Sequence, residues 1–466
     1  MPGPLSKREG LFEKKMELSN IQRVYLIGIG GIGMSGLARY FNHIGCIVCG
    51  YDKTATDLTD NLRNEGIQVI FEDNDEGIPK SFRDVAPETL IIYTPAIPKD
   101  SEILNFFNRK GFELFKRSQV LGIISKGKYT IAVAGTHGKT TTSTLIAHIL
   151  KDSGVDCSAF LGGISTNYET NVLFGGSNIV VVEADEYDRS FLALYPDIAI
   201  ITSMDADHLD IYGDHAQLTE SFRQFASQLK LGGKLIHRKG LPLNKGFTYS
   251  IDGDADATAE NIRVENGDFY FDFIHGAVTI RNIKQGIAGL HNIENAVAAT
   301  EVALRLGIDS AAIKSALGSF KGVKRRFEYI VKNDKHIYID DYAHHPEELR
   351  AAITSVKRLY PGKKLTTIFQ PHLYSRTRDF ADGFAEVLDM SDELIMLDIY
   401  PARELPIAGV SSDMLLDRMR LANKGKYGKQ EAVNKIMAEK PELLLTVGAG
   451  DIDQLVHPLK QALEDV

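Results

Sequence analysis

The chain has 466 residues, which is too long for one hydrophobic core and predicts roughly three domains. Hydrophobic residues make up 44% and charged residues 25% of the sequence, a composition typical of globular proteins. Because the net charge of −9 leaves no broad basic surface for a polyanion, we expect no nucleic-acid partner.

Residues 1–20 are polar and charged, and we expect them to form an extension outside the domains. No apolar run in this segment is long enough for a signal peptide or a membrane span. We therefore expect a soluble cytoplasmic protein that does not bind membranes.

The chain has only three cysteines, which fits a reducing compartment. Cys46 and Cys49 form a C-x-x-C pattern, but they fall in an apolar strand pattern, where positions three apart face opposite sides. We interpret them as buried strand residues and not as a metal or redox site.

Strand patterns alternate with helical patterns through most of the chain, which is typical of parallel sheets covered by helices. We predict an α/β fold of three domains. These are a Rossmann-like nucleotide-binding domain at 21–122, a central P-loop ATPase domain with a parallel sheet and a small β part at 123–322, and a C-terminal Rossmann-like domain at 323–466.

The first predicted domain begins with a strand at 24–29, a glycine-rich turn and a helix near 34–43. The turn, Gly28-Ile-Gly-Gly-Ile-Gly, matches G-x-G-x-x-G, and Asp52 follows about twenty residues later, as in dinucleotide-binding domains. The N-terminus of the following helix can hold any diphosphate. The residues alone therefore leave three alternatives open: a nicotinamide cofactor, a nucleotide-diphosphate substrate or a structural turn.

The second domain begins with an apolar strand that runs into Gly135-Thr-His-Gly-Lys-Thr-Thr and a helix. Gly135 and Gly138 allow the backbone to approach an anion, Lys139 can reach the terminal phosphates, and the Thr140 hydroxyl can bind magnesium. Val133 occupies the place of the first glycine in G-x-x-x-x-G-K-[ST]. The segment indicates an ATP-using enzyme.

Acidic residues follow the next predicted strand, at 178–182, and include Glu183, Asp185, Glu186 and Asp188. Because parallel strands end at one edge of a sheet, these carboxylates should lie near the P-loop, where oxygen ligands suit magnesium. A solvated acidic loop is the alternative. His208, after the strand at 197–202, could be a ligand or a structural histidine.

A helix at 292–306 follows the short β patterns of the second domain and opens with His291-Asn-Ile-Glu-Asn. The amides of Asn292 and Asn295 could cap this helix or bind a purine ring. Both alternatives stay open at this point.

The third domain is predicted to have strands at 336–339, 365–369, 393–397 and 443–447. Arg325 and Arg326 open it, where an arginine could reach a γ-phosphate, although such a pair is usually surface. Polar side chains follow the first two strands, and this arrangement predicts a pocket for a substrate carboxylate. They are Asp341, His344, His345, His372, Arg376 and Arg378.

The order of these motifs resembles that of the Mur ligases of bacterial cell-wall synthesis over nearly the whole chain after the polar extension. The motifs are G-T-H-G-K-T-T from Gly135, E-A-D-E from Glu183, D-H-L-D from Asp207, H-N-x-x-N from His291, R-R-F-E from Arg325, D-D-Y-x-H-H-P from Asp340, F-Q-P-H from Phe369 and G-A-G-D from Gly448. The shortened P-loop is also similar to that of the family.

Within the family, the resemblance is to the enzymes that join L-alanine to UDP-N-acetylmuramate. It implies an ATP-dependent ligase that forms the amide bond through an acyl phosphate and uses Mg²⁺, two ions in all. The product would be a peptidoglycan precursor, which connects the protein to cell-wall biogenesis, cell shape, cell division and the cell cycle. We expect a monomer or a homodimer.

The resemblance also implies residue roles. ATP would be bound by Gly135, Thr136, His137, Gly138, Lys139, Thr140, Thr141, Asn292, Asn295, Arg326 and Asp341, and the metal by Thr140, Glu183 and His208. The UDP-sugar would be bound by Gly28, Gly30, Gly31, Ile32, Gly33, Met34, Ser35 and Asp52, and L-alanine by Tyr342, His344, His372 and Arg376. The catalytic set would be Lys139, Arg326, His208, Asp341 and His344.

Two features depart from the family pattern. Leu373 stands where many relatives carry arginine, and no equivalent of the carbamylated lysine of several sister ligases is identified. Three alternative functions are a recycling ligase that attaches a whole tripeptide, a dehydrogenase fused to a P-loop module, and a nucleotide-dependent switch. The segments from Asp207 and Phe369 are more similar to the alanine enzymes.

Overall fold

The structure is a computed structural model that describes residues 18–205, 209–265, 267–402 and 404–464. Two compact units divide the chain. The first extends to Tyr249 and includes Ala298–Ile308, and the second consists of Ser250–Val297 and the chain from Asp309 onward. The predicted domain limits stay predictions.

The first sheet of the first unit has five parallel strands in the order β3-β2-β1-β4-β5. The strands are β1 Arg23–Ile27, β2 Ile47–Tyr51, β3 Gln68–Ile70, β4 Thr89–Tyr93 and β5 Leu114–Lys116. The helices are α1 Ile32–His43, α2 Asp57–Asn64, α3 Glu102–Lys110 and α4 Arg117–Ser125, with short 3₁₀ turns at Leu18–Asn20 and Lys80–Phe82. Because Ile27 pairs with both Tyr51 and Tyr93, the three central strands end at the same level.

The cysteine pattern lies in the core on both sides of this sheet. Cys46 packs in a cluster with Val24, whereas Cys49 packs in a different cluster with Tyr25. Neighbouring strand residues face opposite sides, which places the two thiols apart. Burial raises the pKa of Cys49 to about 12. The interpretation of Cys46 and Cys49 as buried is confirmed.

The second sheet of the first unit has the strand order β12-β11-β10-β6-β9-β7-β8, and β7 and β8 are antiparallel. The strands are β6 Tyr129–Ala134, β7 Ser158–Ser165, β8 Thr170–Leu173, β9 Ile179–Glu183, β10 Ile198–Ile201, β11 Lys234–Arg238 and β12 Phe247–Ser250. The helices are α5 Lys139–Asp152, α6 Leu209–Tyr212 and α7 His215–Ser227, with a 3₁₀ segment at Tyr187–Ala193. The central position of β6 places the turn that follows it between the ends of β9 and β10.

The second unit begins with an antiparallel meander of β13 Ala257–Glu265, β14 Asp268–His275 and β15 Val278–Lys284. Phe269, Phe271 and Phe273 are buried, as the period of two in a strand requires for one apolar face. This meander is the small β part that the sequence predicts. Helix α8 Leu290–Arg305 follows the meander, and its residues from Ala298 onward belong to the first unit. Helix α9 Ser310–Ser319 comes next.

The other sheet of the second unit has the order β16-β17-β21-β18-β19-β20, with β16 antiparallel to β17. The strands are β16 Glu328–Lys332, β17 Ile337–Asp341, β18 Leu365–Phe369, β19 Glu393–Met396, β20 Lys424–Lys426 and β21 Leu443–Val447. The helices are α10 Pro346–Leu359, α11 Tyr374–Asp379, α12 Ala381–Leu388, α13 Ser412–Arg418, α14 Lys429–Glu439 and α15 Val456–Glu464, with a 3₁₀ turn at Asp451–Leu455. Over the described residues, no helix is both long and apolar enough to cross a bilayer.

Candidate active site

The phosphate loop is the turn between β6 and α5. Gly135 has φ of 137°, and a Cβ atom there would lie 2.1 Å from Thr202 Oγ1 and 2.8 Å from the Ser203 backbone nitrogen. Gly138 precedes α5 with φ of 82°, in the left-handed region that favours glycine. At Gly135 the turn therefore packs so closely against the residues after β10 that a residue with a Cβ atom would not fit.

Two hydroxyl groups after β10 hold this loop, and the sequence analysis did not identify them. Ser203 Oγ accepts a hydrogen bond from the His137 backbone nitrogen at 2.7 Å and is 2.9 Å from Thr136 Oγ1. Thr202 Oγ1 donates to the His137 carbonyl oxygen. Their position directly after a strand beside β6 is the signal that could have revealed them.

Lys139 lies in the mouth of the phosphate loop. Its Nζ donates to the Gly135 carbonyl oxygen at 2.6 Å and is 2.8 Å from Glu186 Oε2. Burial on its own would favour the neutral amine, but the Glu186 carboxylate, with Glu183 and Asp185, outweighs it and raises the pKa of Lys139. The loop therefore presents a fully charged ammonium group.

Glu183 ends β9, which pairs with β6 so that Glu183 is opposite Val133, beside the phosphate loop. A Cβ atom on Gly162 would lie 2.1 Å from Glu183 Oε2, so the glycine leaves the space that this carboxylate occupies. Thr140, in the first turn of α5, is buried. A hydroxyl and a carboxylate are oxygen ligands that suit Mg²⁺, so these residues fit the predicted metal.

The third predicted metal ligand, His208, lies outside the described residues. Among the residues that are described, no three His, Cys, Asp or Glu side chains converge as a ligand set. The acidic residues after Glu183 instead bind basic side chains: Asp185 is 3.1 Å from Arg117, and Asp188 is 2.7 Å from Lys116. The segment is thus neither wholly a metal site nor a solvated loop.

The first glycine-rich turn lies between β1 and α1. Gly28 has φ of 90°, and a Cβ atom there would be 2.6 Å from Thr94 Cγ2. The Gly30 backbone nitrogen donates to Asp52 Oδ2 at 2.8 Å, so the structure brings the predicted Asp52 against the turn. Gly31 precedes the first turn of α1, which contains the other predicted residues, Ile32, Gly33, Met34 and Ser35.

A cavity in the first unit joins this turn to Glu183. Its lining includes Gly33, Arg117, Phe160, Gly162 and Glu183. A Cβ atom on Gly33 would lie 2.4 Å from Arg117 Nη1, so the guanidinium group covers the start of α1. A ligand in this cavity could contact the N-terminus of α1 and Glu183 together.

Two residues at this cavity were missed by the sequence analysis. Arg117 opens α4 and lies far from the glycine-rich motif in sequence. Asn171, on β8, donates through Nδ2 to Ser35 Oγ at 3.0 Å and to the Ile32 carbonyl oxygen at 2.5 Å. Neither belongs to a short motif, so only the folded arrangement reveals them.

The four residues predicted for L-alanine come together in the second unit, at the ends of β17 and β18. The His344 and His372 ring centroids are 5.8 Å apart, and Arg376 Nη1 is 3.3 Å from His372 Nδ1. The Tyr342 ring meets His344 edge-on at 5.3 Å. Tyr400, which the sequence analysis missed, stacks on His372 with centroids 5.7 Å apart.

Leu373 has a backbone conformation that few non-glycine residues adopt. Its φ is 69°, and its backbone nitrogen donates to the Tyr400 carbonyl oxygen at 2.9 Å. Such positions cost free energy and cluster at functional sites. Here the bend lies directly between His372 and the helix that carries Arg376.

Asp341 shapes the turn that leads to the histidines. Its carboxylate accepts hydrogen bonds from the backbone nitrogens of Phe327 and Ala343, both at 2.7 Å. Burial raises the pKa of Asp341 to about 6. The Arg326 guanidinium lies 5.0 Å from the centre of the Tyr342 ring. The predicted contacts of Arg326 and Asp341 with ATP stay predictions.

Asn292 and Asn295 lie in the first turns of α8. Asn292 Nδ2 donates to the Ala288 carbonyl oxygen at 2.6 Å, and Asn295 Nδ2 is 3.4 Å from Asn292 Oδ1. In both bonds the amide nitrogen donates, whereas an N-cap side chain accepts from a backbone N–H. Capping and adenine binding both stay predictions. Burial lowers the pKa of the neighbouring His291 to about 4. His345 accepts from the Glu347 backbone nitrogen and caps α10.

Comparison with known proteins identifies the family. Residues 23–129 match the model of the Mur ligase family catalytic domain, 133–303 that of the Mur ligase middle domain, and 325–450 that of the Mur ligase glutamate ligase domain. The UDP-N-acetylmuramate--L-alanine ligase of Christiangramia forsetii is 49% identical over 447 residues, which are 96% of this chain and 99% of that protein. The chain belongs to the Mur ligase family.

A second relative and two solved structures agree with this assignment. The UDP-N-acetylmuramate--L-alanine ligase of Cytophaga hutchinsonii is 49% identical over 96% of this chain and 98% of its own. The crystal structure of the UDP-N-acetylmuramate-alanine ligase of Thermotoga maritima has a TM-score of 0.82 at 26% identity and covers 95% of this chain and 99% of its own.

The murein peptide ligase of Psychrobacter arcticus has a TM-score of 0.69 at 22% identity, with 96% and 99% covered, which shows a shared fold. The predicted Mur ligase resemblance and the three-domain α/β fold are confirmed.

Proposed function

We propose that this Mur ligase joins L-alanine to the lactyl carboxylate of UDP-N-acetylmuramate with ATP. The products are UDP-N-acetylmuramoyl-L-alanine, ADP and phosphate. The observation that carries the proposal is the 49% identity, over 96% of the chain, to a UDP-N-acetylmuramate--L-alanine ligase. We assign ATP to the phosphate loop, the UDP-sugar to the cavity at the first glycine-rich turn, and L-alanine to the polar side chains that follow β17 and β18.

The first step brings together two negative groups. An oxygen of the lactyl carboxylate attacks the γ-phosphorus of ATP, the bond from that phosphorus to the β–γ bridging oxygen breaks, and ADP leaves with an acyl phosphate formed. The Lys139 ammonium and the loop backbone N–H groups offset the repulsion. Thr140 and Glu183 would hold Mg²⁺, with His208 as a further predicted ligand, and the ion when bound neutralises phosphate charge.

The cavity between α1 and Glu183 is the proposed place for the UDP-sugar. Helix N-termini bind phosphate groups, and the start of α1 with the guanidinium of Arg117 offers both dipole and charge. The same cavity is lined by Glu183. A sugar nucleotide whose diphosphate lies at α1 would therefore direct its carboxylate toward the phosphate loop.

The polar side chains at the ends of β17 and β18, in the second unit, form the proposed site for L-alanine. The Arg376 guanidinium provides the cation that an amino-acid carboxylate requires, and His344 and His372 lie beside it. The neutral amine attacks the acyl-phosphate carbonyl carbon, and the tetrahedral intermediate expels phosphate as its carbon–oxygen bond breaks. We place the reaction in the cytoplasm, in peptidoglycan precursor synthesis, and through it in cell shape and division.

Phosphate release from ATP tests the proposal. The assay contains UDP-N-acetylmuramate and compares no acceptor, L-alanine and the tripeptide, for the wild type and for Lys139→Ala, with and without EDTA. We expect release that requires L-alanine and is lost in the variant and in EDTA. Release with the tripeptide alone would assign a recycling ligase, and release that ignores every acceptor would exclude amide ligation.

A further inference from the structure

Glu348 lies beside the proposed alanine site but has no role in the reaction described above. It belongs to the first turn of α10, and its side chain is only 15% exposed. Oε2 accepts a hydrogen bond from the His344 backbone nitrogen at 3.0 Å and is 3.3 Å from His344 Nδ1. Oε1 is 4.0 Å from Arg326 Nη1. One partly buried carboxylate thus lies next to two residues with proposed roles.

The surroundings of His344 Nδ1 determine where the imidazole carries its proton. Besides Glu348 Oε2, the Tyr342 carbonyl oxygen lies 2.9 Å from Nδ1. Both of these atoms are acceptors, so we assign the proton of the neutral ring to Nδ1. The lone pair is then at Nε2. A neutral imidazole in this tautomer accepts a proton through Nε2.

We propose that Glu348 is a positioning residue that fixes the Nδ1–H tautomer of His344, so that Nε2 removes a proton from the ammonium group of L-alanine. This inference rests on the proposed function. An amino acid with its carboxylate on Arg376 has its nitrogen on the next carbon, and Arg376 and the His344 ring both lie next to His372.

The proton balance of this step is complete. The ammonium nitrogen loses one proton to His344 Nε2 and becomes a neutral amine with a lone pair. That lone pair forms the carbon–nitrogen bond at the acyl phosphate while the carbon–oxygen bond to phosphate breaks. The second proton that the nitrogen loses to become an amide goes to the departing phosphate, which leaves as hydrogen phosphate. The charged imidazole then faces the Glu348 carboxylate, as histidine bases in other enzymes face an orienting carboxylate.

The neighbouring Glu347 provides a matched control. It has the same charge in the same helical turn, and its side chain is 60% exposed, 3.9 Å from Arg350. Glu347→Gln and Glu348→Gln therefore remove equal charge from the N-terminus of α10, where carboxylates stabilise a helix. Only Glu348→Gln places an amide NH₂ group near His344 Nδ1, where it competes for the opposite tautomer.

The experiment measures kcat, and KM for each substrate, in the L-alanine-dependent phosphate-release assay. We expect Glu348→Gln to lower kcat by about 10–100-fold, the usual effect of removing a carboxylate that orients a functional histidine. KM for UDP-N-acetylmuramate should not change, and Glu347→Gln should match the wild type. A Glu348→Gln enzyme with wild-type kcat would overturn the proposal.

A double-mutant cycle separates positioning from folding. If Glu348 acts through His344, then Glu348→Gln should add little to the loss in His344→Ala, within about twofold, because residues that act as a unit are not additive. Fully additive losses would overturn the proposal, even if Glu348→Gln also lowers the melting temperature. Wild-type release that does not require L-alanine would instead refute the proposed function itself.

Discussion

The first unit contains two glycine-rich turns that begin alike and end differently. Each follows a central parallel strand and opens a helix, and each has a glycine with positive φ, Gly28 or Gly135. A Cβ atom at either glycine would collide with the end of a neighbouring strand segment. Both turns therefore depend on a glycine with positive φ packed against a neighbouring strand end. The side chains around each turn determine what it can bind.

Those side chains differ in charge and origin. The turn before α5 carries its own cation, Lys139, next to Glu186, and its backbone is held by Ser203. The turn before α1 has no lysine of its own, and the cation that covers it, Arg117, comes from the start of another helix. The cation at the turn before α5 belongs to the same short motif as the turn. The cation at the turn before α1 is brought there by the tertiary fold.

Removal of Lys139 should have the largest effect on the reaction rate. We expect Lys139→Ala to lower kcat of L-alanine-dependent phosphate release by about 10²–10³-fold, the usual cost of losing a preorganised group that stabilises developing charge. Calorimetric affinity for UDP-N-acetylmuramate should stay at the wild-type value. Lys151→Ala, at the far end of the same helix, is the control. Equal losses in both variants would contradict the role of Lys139.

Substitution of the loop glycine should have the next largest effect. Gly135→Ala places a Cβ atom against Thr202 and the backbone of Ser203 at φ of 137°. Strain of about 1–3 kcal/mol should raise KM for ATP by roughly 5–150-fold. KM for the UDP-sugar should not change.

Gly154→Ala is the matched control for that prediction. Gly154 also has positive φ, at 77°, but a Cβ atom there meets nothing within 4 Å. The Gly154→Ala variant should be less stable by about 1–2 kcal/mol, because alanine is strained at positive φ, without any change in KM for ATP. If both variants raised KM for ATP equally, general destabilisation and not the loop geometry would be the cause.

Arg117 tests the other turn. Loss of a hydrogen bond to a charged group costs about 1.5–3 kcal/mol, so Arg117→Ala should raise KM for UDP-N-acetylmuramate by roughly 10–100-fold. KM for ATP should be unaffected. Lys116→Ala removes the adjacent cation, which pairs with Asp188 at 2.7 Å, and serves as the control. A rise in KM for ATP alone would reverse the assignment of the two turns.

The two turns also show what the sequence could predict. The glycines and Lys139 lie within a few residues of each other, so local sequence was enough to identify the phosphate loop and its strand and helix. Arg117 and Asn171 reach the first turn from α4 and β8, and no local pattern links them to Gly33 or Ser35.

The carboxylates after Glu183 were only partly understood from sequence. A strand-end position correctly predicted that Glu183 would lie beside the phosphate loop. The partners of Asp185 and Asp188 come from the start of α4, about seventy residues earlier in the chain, so their ion pairs depend on tertiary packing. Periodicity predicts elements and edges, but it does not predict which side chains meet across them.

Ser203→Ala should give the smallest effect and shows how the phosphate loop keeps its shape. The substitution removes the acceptor of the His137 backbone N–H and the partner of Thr136 Oγ1, while Thr202 still holds the His137 carbonyl oxygen. One or two hydrogen bonds at about 0.5–1.5 kcal/mol each should raise KM for ATP by roughly 2–20-fold. Ser227→Ala, on the exposed surface of α7, should leave KM unchanged. Because the turn before α1 is tied by Asp52 instead, KM for UDP-N-acetylmuramate should also be unchanged, and a parallel rise in both constants would mean that the two turns are not held independently.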